Sequence, residues 1–156
     1  MGFYHADPME PRSKASGAPR EGWHEHVLRV RYGETDQMGV VYHANYLVFM
    51  EEGRTRLMES LGASYAEIEA SGYGLAVRKA DLRYRAPACY DQRIVVWTRV
   101  ARIRGASVTF EYEVADAAEG TLLAEGSTEL ACIQLKSPGR EPCLLPQELR
   151  DRLGAG

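Results

Sequence analysis

A glycine stands in the middle of the apolar face of this chain's longest amphipathic stretch, and it narrows the folds open to the chain. Residues 45–61 set Tyr46, Phe49, Met50, Gly53, Leu57 and Leu61 at spacings of three and four, with Glu51, Glu52, Arg54, Arg56 and Glu59 mainly on the other side. That period predicts a helix closed by Gly62. Gly53 lowers the stability of such a helix by about 1 kcal/mol against alanine. Close approach to another backbone is the compensation expected, and a flat partner such as a sheet provides it.

The rest of the chain reads as that sheet. From His24, the residues Val27, Leu28, Val30 and Tyr32 lie among charged neighbours, a first strand running into the turn Gly33-Glu34-Thr35-Asp36. Ser64-Tyr65-Ala66-Glu67 is a capping box opening a short helix that ends near Ser71-Gly72. Four extended segments follow. Residues 75–86 alternate Ala80, Leu82 and Tyr84 against Lys79, Asp81, Arg83 and Arg85, and Pro87 stops them. Residues 92–104 open with the unbroken run Ile94-Val95-Val96-Trp97, which suits a strand covered on both faces. Residues 107–114 alternate strictly, and residues 121–135 form the last long strand, with turns at Arg104-Gly105 and Glu119-Gly120. Residues 146–153 suit a short terminal helix. The order predicts an α+β fold in which an antiparallel sheet of about five strands, the last four in meander order, wraps the long helix. Residues 1–22, with Pro8, Pro11, Pro19 and few large aliphatic side chains, read as a flexible arm, and residues 23–156 as a single domain.

Composition removes several function classes. With 19 basic and 22 acidic residues the chain lacks the basic excess that nucleic-acid backbones require. No apolar run reaches the length of a membrane span, and the first residues lack the pattern of a signal peptide. Cys89, Cys132 and Cys143 form no CxxC pair and read as reduced thiols in a cytoplasmic protein.

The chemistry concentrates in residues 32–46, Tyr-Gly-Glu-Thr-Asp-Gln-Met-Gly-Val-Val-Tyr-His-Ala-Asn-Tyr, which hold two carboxylates, a histidine and the chain's one asparagine. This segment ends where the helix begins. A helix start presents unpaired N–H groups and positive partial charge, a place where a developing oxyanion is stabilised. An aspartate held just before it can act as nucleophile or general base. Each residue also has an ordinary structural use: Asp36 caps a turn, His43 is a partly buried ring, and Tyr32 packs with a wet hydroxyl.

Asp36-x-x-Gly39-Val40-Val41-Tyr42-His43-x-Asn45-Tyr46, followed by an amphipathic helix, resembles the signature of hotdog-fold acyl-CoA thioesterases, in the 4-hydroxybenzoyl-CoA thioesterase and YbgC-like branch. The resemblance covers residues 24–135; Tyr32, Glu51 and Arg54 match it too, and residues 80–87 resemble the branch's second strand. It implies that Asp36 is the catalytic carboxylate, acting on a thioester carbonyl directly or through water. It also implies that the backbone N–H of His43 polarises the thioester oxygen. The His43 side chain and Tyr32 are implicated in this branch. Gly39, Val40 and Tyr42 fall with the substrate, and Glu51 is a second-tier candidate there. Metal and redox cofactors are not implied, coenzyme A being part of the substrate. Hotdog proteins assemble as homo-oligomers, so a dimer or a pair of dimers is expected.

Residues 78–104 carry eight basic side chains against Asp81 and Asp91, a local excess suited to the phosphates of coenzyme A, with Arg83 and Arg85 as candidates. The ordinary alternative is the solvated faces of two strands. His24-Glu25-His26 has the alternation of a metal pair but no further ligand cluster, so a solvated strand end is expected. No Gly-x-Ser-x-Gly occurs, which argues against a serine-hydrolase mechanism. Two other functions fit the same segment: a non-catalytic acyl-CoA binding module, and a thioesterase for acyl groups on a carrier protein.

Overall fold

The computed structural model of the chain describes residues 19–155. Helix α1 (Asn45–Ser60) buries Tyr46, Phe49, Met50, Gly53, Leu57 and Met58. It lies across an antiparallel sheet built from β1 (His24–Arg29), β2 (Tyr73–Tyr84), β3 (Arg93–Ile103), β4 (Ser107–Asp116) and β5 (Leu122–Gln134). Gly53 meets that sheet directly: a Cβ there would fall 2.7 Å from both Thr98 Oγ1 and Val96 Cγ1 on β3. Helix α2 (Tyr65–Ala70) starts at the expected capping box, with Ser64 and Glu67 bonding reciprocally. Helix α3 (Gln147–Gly154) buries Leu149 and Leu153. This is the α+β hotdog architecture expected from the sequence.

The strand order corrects the expected meander. It runs β1-β3-β4-β5-β2, so β3, β4 and β5 are sequential neighbours while β2 pairs with β5 at the far edge. The cause is the link between β2 and β3. Arg85 and Ala86 both donate from their backbone N–H groups to the Leu123 carbonyl, and Ala88 then accepts from the Val41 N–H at 2.8 Å. Val40 and Cys89 form a bridge beside it. The link therefore crosses the start of α1, where a hairpin turn would have paired β2 with β3. The first strand is also shorter than expected: Tyr32 lies in a 3₁₀ turn, Tyr32–Glu34, which the Glu34 carboxylate closes by accepting the Arg31 N–H at 2.8 Å.

On β4, Val108, Phe110, Tyr112 and Val114 are buried against the helix side. Glu111 and Glu113 face outward, where they pair with Arg99 and Arg20. The run from Ile94 to Trp97 is buried throughout, and on the outer face Trp23 and Ala115 pack with Val95 and Trp97. The Arg20 guanidinium stacks 4.6 Å from the Trp23 ring centroid and 5.3 Å from that of Trp97. Residues 1–18 of the expected arm lie outside the described residues.

Two polar side chains depart from their expected places. Arg54 is buried, although its charge suggested the solvent side of α1. Its stem runs into the core, and its head donates to Tyr65 Oη at 2.7 Å, Tyr112 Oη at 3.1 Å and Thr128 Oγ1 at 3.2 Å. His24 and His26 do not form a solvated strand end. They face α1, His26 Nε2 lies 2.8 Å from Glu52 Oε1, and burial, then the neighbouring His26, hold the His24 imidazole below its ordinary pKa. Among the described residues no helix is long and apolar enough to cross a membrane.

Candidate active site

The segment before α1 folds back on itself. The Glu34 carbonyl accepts from the Tyr42 N–H and from Asn45 Nδ2, both at 2.9 Å, so the lone asparagine ties the helix start to the chain eleven residues earlier. Thr35 and Val41 bridge, the Asp36 N–H donates to the Val40 carbonyl at 2.9 Å, and Gly39 closes the turn at φ +76°. Asp36 Oδ1 accepts the Met38 N–H at 2.8 Å, which realises the turn-capping use foreseen for this residue. Its second oxygen has no partner among the described residues. The residue as a whole is half-buried.

His43 lies two residues before α1, with Ala44 at the N-cap between them. Its backbone N–H donates to no group among the described residues. Its carbonyl accepts the Tyr84 hydroxyl of β2 at 2.8 Å. A cavity of about 90 Å³ opens beside it, lined by Val40, Val41, His43, Tyr46, Tyr84, Ala86 and Pro87. Tyr46 packs edge-on to Tyr84 with centroids 5.3 Å apart, and its hydroxyl accepts the Ala88 N–H at 3.2 Å. Three pieces of chain meet there: the turn before α1, the end of β2 and the crossing link.

The remaining candidates are more scattered. Tyr32 is 79% exposed and rests edge-on against Tyr90, and none of its hydrogen bonds among the described residues reaches Asp36 or His43. The His43 ring is exposed and lies 4.4 Å from that of Tyr42, centroid to centroid. Gly39 shares the Asp36 turn, Val40 lines the cavity, and Glu51 is exposed on α1. Arg83 alternates with Tyr84 and so projects from the other face of β2, where Arg85 pairs with Glu125 at 2.8 Å. Arg78 pairs with Glu129, and Arg99 with Glu111 at 2.5 Å. The described residues contain no group of three or more His, Cys, Asp or Glu side chains able to hold a metal. Tyr84, Tyr46 and the Ala86-Pro87 wall were not among the sequence candidates. Alternation set Tyr84 on the apolar face of its strand, but only the crossing link brings it to His43.

Residues 30–153 match the thioesterase-like superfamily. The acyl-CoA thioester hydrolase YbgC of Escherichia coli O157:H7 is 36% identical over 106 residues, 68% of this chain and 78% of its own length. The chloroplastic acyl-acyl carrier protein thioesterase ATL2 of Arabidopsis thaliana is 38% identical over 90 residues, 58% of this chain and 48% of that one. Among solved structures, Slr0204, a 1,4-dihydroxy-2-naphthoyl-CoA thioesterase from Synechocystis, superposes with a TM-score of 0.78 at 27% identity, covering 85% of this chain and 96% of that one.

Proposed function

Because the chain belongs to the thioesterase-like superfamily and is a thioester hydrolase, we propose that it cleaves acyl-CoA to the free carboxylic acid and coenzyme A using Asp36 and the backbone N–H of His43. The observation that carries this reading is the His43 N–H, which donates to no group among the described residues, just before α1, beside a small cavity and seven residues after a carboxylate with one oxygen unpartnered among them. In the proposed reaction the thioester oxygen accepts that N–H, and the helix start adds positive partial charge as the carbonyl carbon becomes tetrahedral. The second oxygen of Asp36 either attacks the carbon, giving a mixed anhydride that water then hydrolyses, or removes a proton from the attacking water. Either route expels the coenzyme A thiolate, which takes up a proton. No metal or redox cofactor enters this scheme.

The resemblance to the YbgC-like branch supports including the His43 imidazole and Tyr32 in the proposed site. Gly39, Val40, Tyr42 and Glu51 are the proposed substrate contacts, and Arg83 and Arg85, on the outer face of β2, are the candidates for coenzyme A's phosphates. We place the enzyme in the cytoplasm and treat residues 23–156 as one domain.

Tyr84 holds the His43 carbonyl, and with it the peptide that follows the donor. Tyr84→Phe keeps the ring packing and removes that bond, so kcat is expected to fall about tenfold with KM near wild type, the scale of one hydrogen bond. An unchanged kcat would remove Tyr84 from the site.

A homo-oligomer fits the surface. Leu47 and Val48 on α1 and Val77 on β2 are exposed, and β2 is a twelve-residue edge strand. Light scattering at micromolar concentration is expected to give a dimer or a tetramer; a monomer would contradict this.

The likeness to the carrier-protein thioesterase favours a second reading, in which the acyl group arrives on a carrier protein. Turnover of the same acyl group on coenzyme A and on a carrier protein separates the two. Preference for coenzyme A supports the first reading, and preference for the carrier replaces it with the second.

A further inference from the structure

Outside the proposed site, two thiols face one another. After β5 the chain turns back, and residues 141–145 run beside the end of that strand. Gln134 donates from its N–H to the Glu141 carbonyl at 3.0 Å, Ile133 bridges Pro142, and Cys143 donates from its N–H to the Cys132 carbonyl at 2.9 Å. Cys132 and Cys143 are therefore directly opposed across an antiparallel pair, and their sulfurs lie 3.5 Å apart. Directly opposed residues on antiparallel strands have Cα atoms about 4.5–5.5 Å apart, within the range a disulfide spans. Small side-chain rotations close the remaining distance. Cys132 is buried in the core and Cys143 is half-buried, while Cys89, the third thiol, is exposed.

We propose that Cys132 and Cys143 form a reversible disulfide by exchange with a small-molecule disulfide, fastening the C-terminal segment that carries α3 to β5. Cys143, the more accessible of the pair, loses its proton and attacks one sulfur of the reagent, giving a mixed disulfide and one free thiolate. Cys132 then loses its proton and attacks the Cys143 sulfur, expelling the second thiolate. In sum, two cysteine thiols and one small disulfide become one protein disulfide and two small thiols. Burial, together with the adjacent Cys143, pushes the Cys132 thiol up to about 12, so it reacts poorly with reagents from solution. Its attack on a capped Cys143 has the advantage of a partner already held at contact.

The segment so fastened is part of the core. Leu145 donates from its N–H to the Gly105 carbonyl at 2.8 Å, and Leu145, Leu149 and Leu153 are buried. The bond would close a loop with ten residues between the two cysteines. A closure of this length favours the folded state by about 10²-fold.

The test incubates the folded, full-length protein with coenzyme A disulfide, quenches with acid, and alkylates under denaturing conditions. Alkylatable thiols are expected to fall from three to one. The mass should show two hydrogens lost with no adduct, and peptide mapping should find Cys132 joined to Cys143. Dithiothreitol should restore three thiols, and urea unfolding should show the oxidised form about 10²-fold more folded. Cys143→Ser, at the half-buried position, should show no internal disulfide and no such stabilisation. Three intact thiols, a lasting coenzyme A adduct on Cys143, or a cross-link through Cys89 would each overturn the proposal. None of these readouts depends on thioester hydrolysis.

Discussion

Asp36→Asn is expected to lower acyl-CoA hydrolysis by at least about 10²-fold while leaving the fold intact. The asparagine keeps an oxygen for the Met38 N–H, so the turn that Asp36 caps survives. What it loses is the negative charge on the second oxygen, and with it the power to attack a carbonyl or take a proton from water. Asp36→Ala loses the same chemistry and the turn contact too, a further loss of stability of about 1 kcal/mol by analogy with other capping side chains. The pair of variants thus separates the catalytic use of Asp36 from its structural one. Steady-state thiol release beside urea unfolding reads both. Near wild-type turnover in Asp36→Asn would leave only the cap. Single turnover in isotopically labelled water reports on the chemical route: label in the Asp36 carboxylate marks a mixed anhydride opened by water at the Asp36 carbon, and label confined to the product acid marks attack of water on the acyl carbon.

Gly53→Val is expected to reduce folding stability by about 3 kcal/mol, the upper end for overpacking a close-packed interior. Its Cβ alone would fall 2.7 Å from Thr98 Oγ1 and Val96 Cγ1, and both neighbours are fully buried with no room to retreat. Helix α1 must lift from β3 or the strand must bend. Branching at Cβ also removes most of what the helix gains by losing a glycine. Because α1 starts two residues after the proposed oxyanion donor, a lifted helix moves His43 relative to Tyr84, and activity should fall with stability. Urea denaturation checks the first effect; a midpoint and slope equal to wild type would mean that the helix and sheet are less tightly apposed than the structure has them.

The same glycine marks what was readable in advance. Its place on an apolar helical face pointed to a sheet, and alternation located five strands within a few residues of their observed ends. The neighbours β3, β4 and β5 were readable from the turns that join them, whereas the partner of β2 was not, because it depends on the path of residues 85–92. That path is set by bonds from Arg85 and Ala86 to Leu123 and from Val41 to Ala88, none of which leaves a local pattern. The same blindness hid Tyr84: its hydroxyl meets the His43 carbonyl only because the link crosses the helix start. Asp36 and His43 were singled out by the resemblance of residues 36–46 to the hotdog thioesterase signature; read by themselves, these residues offered a carboxylate and a histidine in a turn before a helix start. Arg54 misled for the opposite reason. Residue type placed it at the surface, whereas the hydroxyls of Tyr65, Tyr112 and Thr128 that solvate it in the core come from distant parts of the chain.

The most direct measurement is thiol release by the wild-type protein from short, medium, long and aromatic acyl-CoAs, with Asp36→Asn run beside it. Release well above the buffer rate for at least one class, lost in the variant, is the predicted result. Wild-type protein that binds coenzyme A yet leaves every acyl-CoA intact would contradict the account and favour a binding module that keeps the fold without the chemistry.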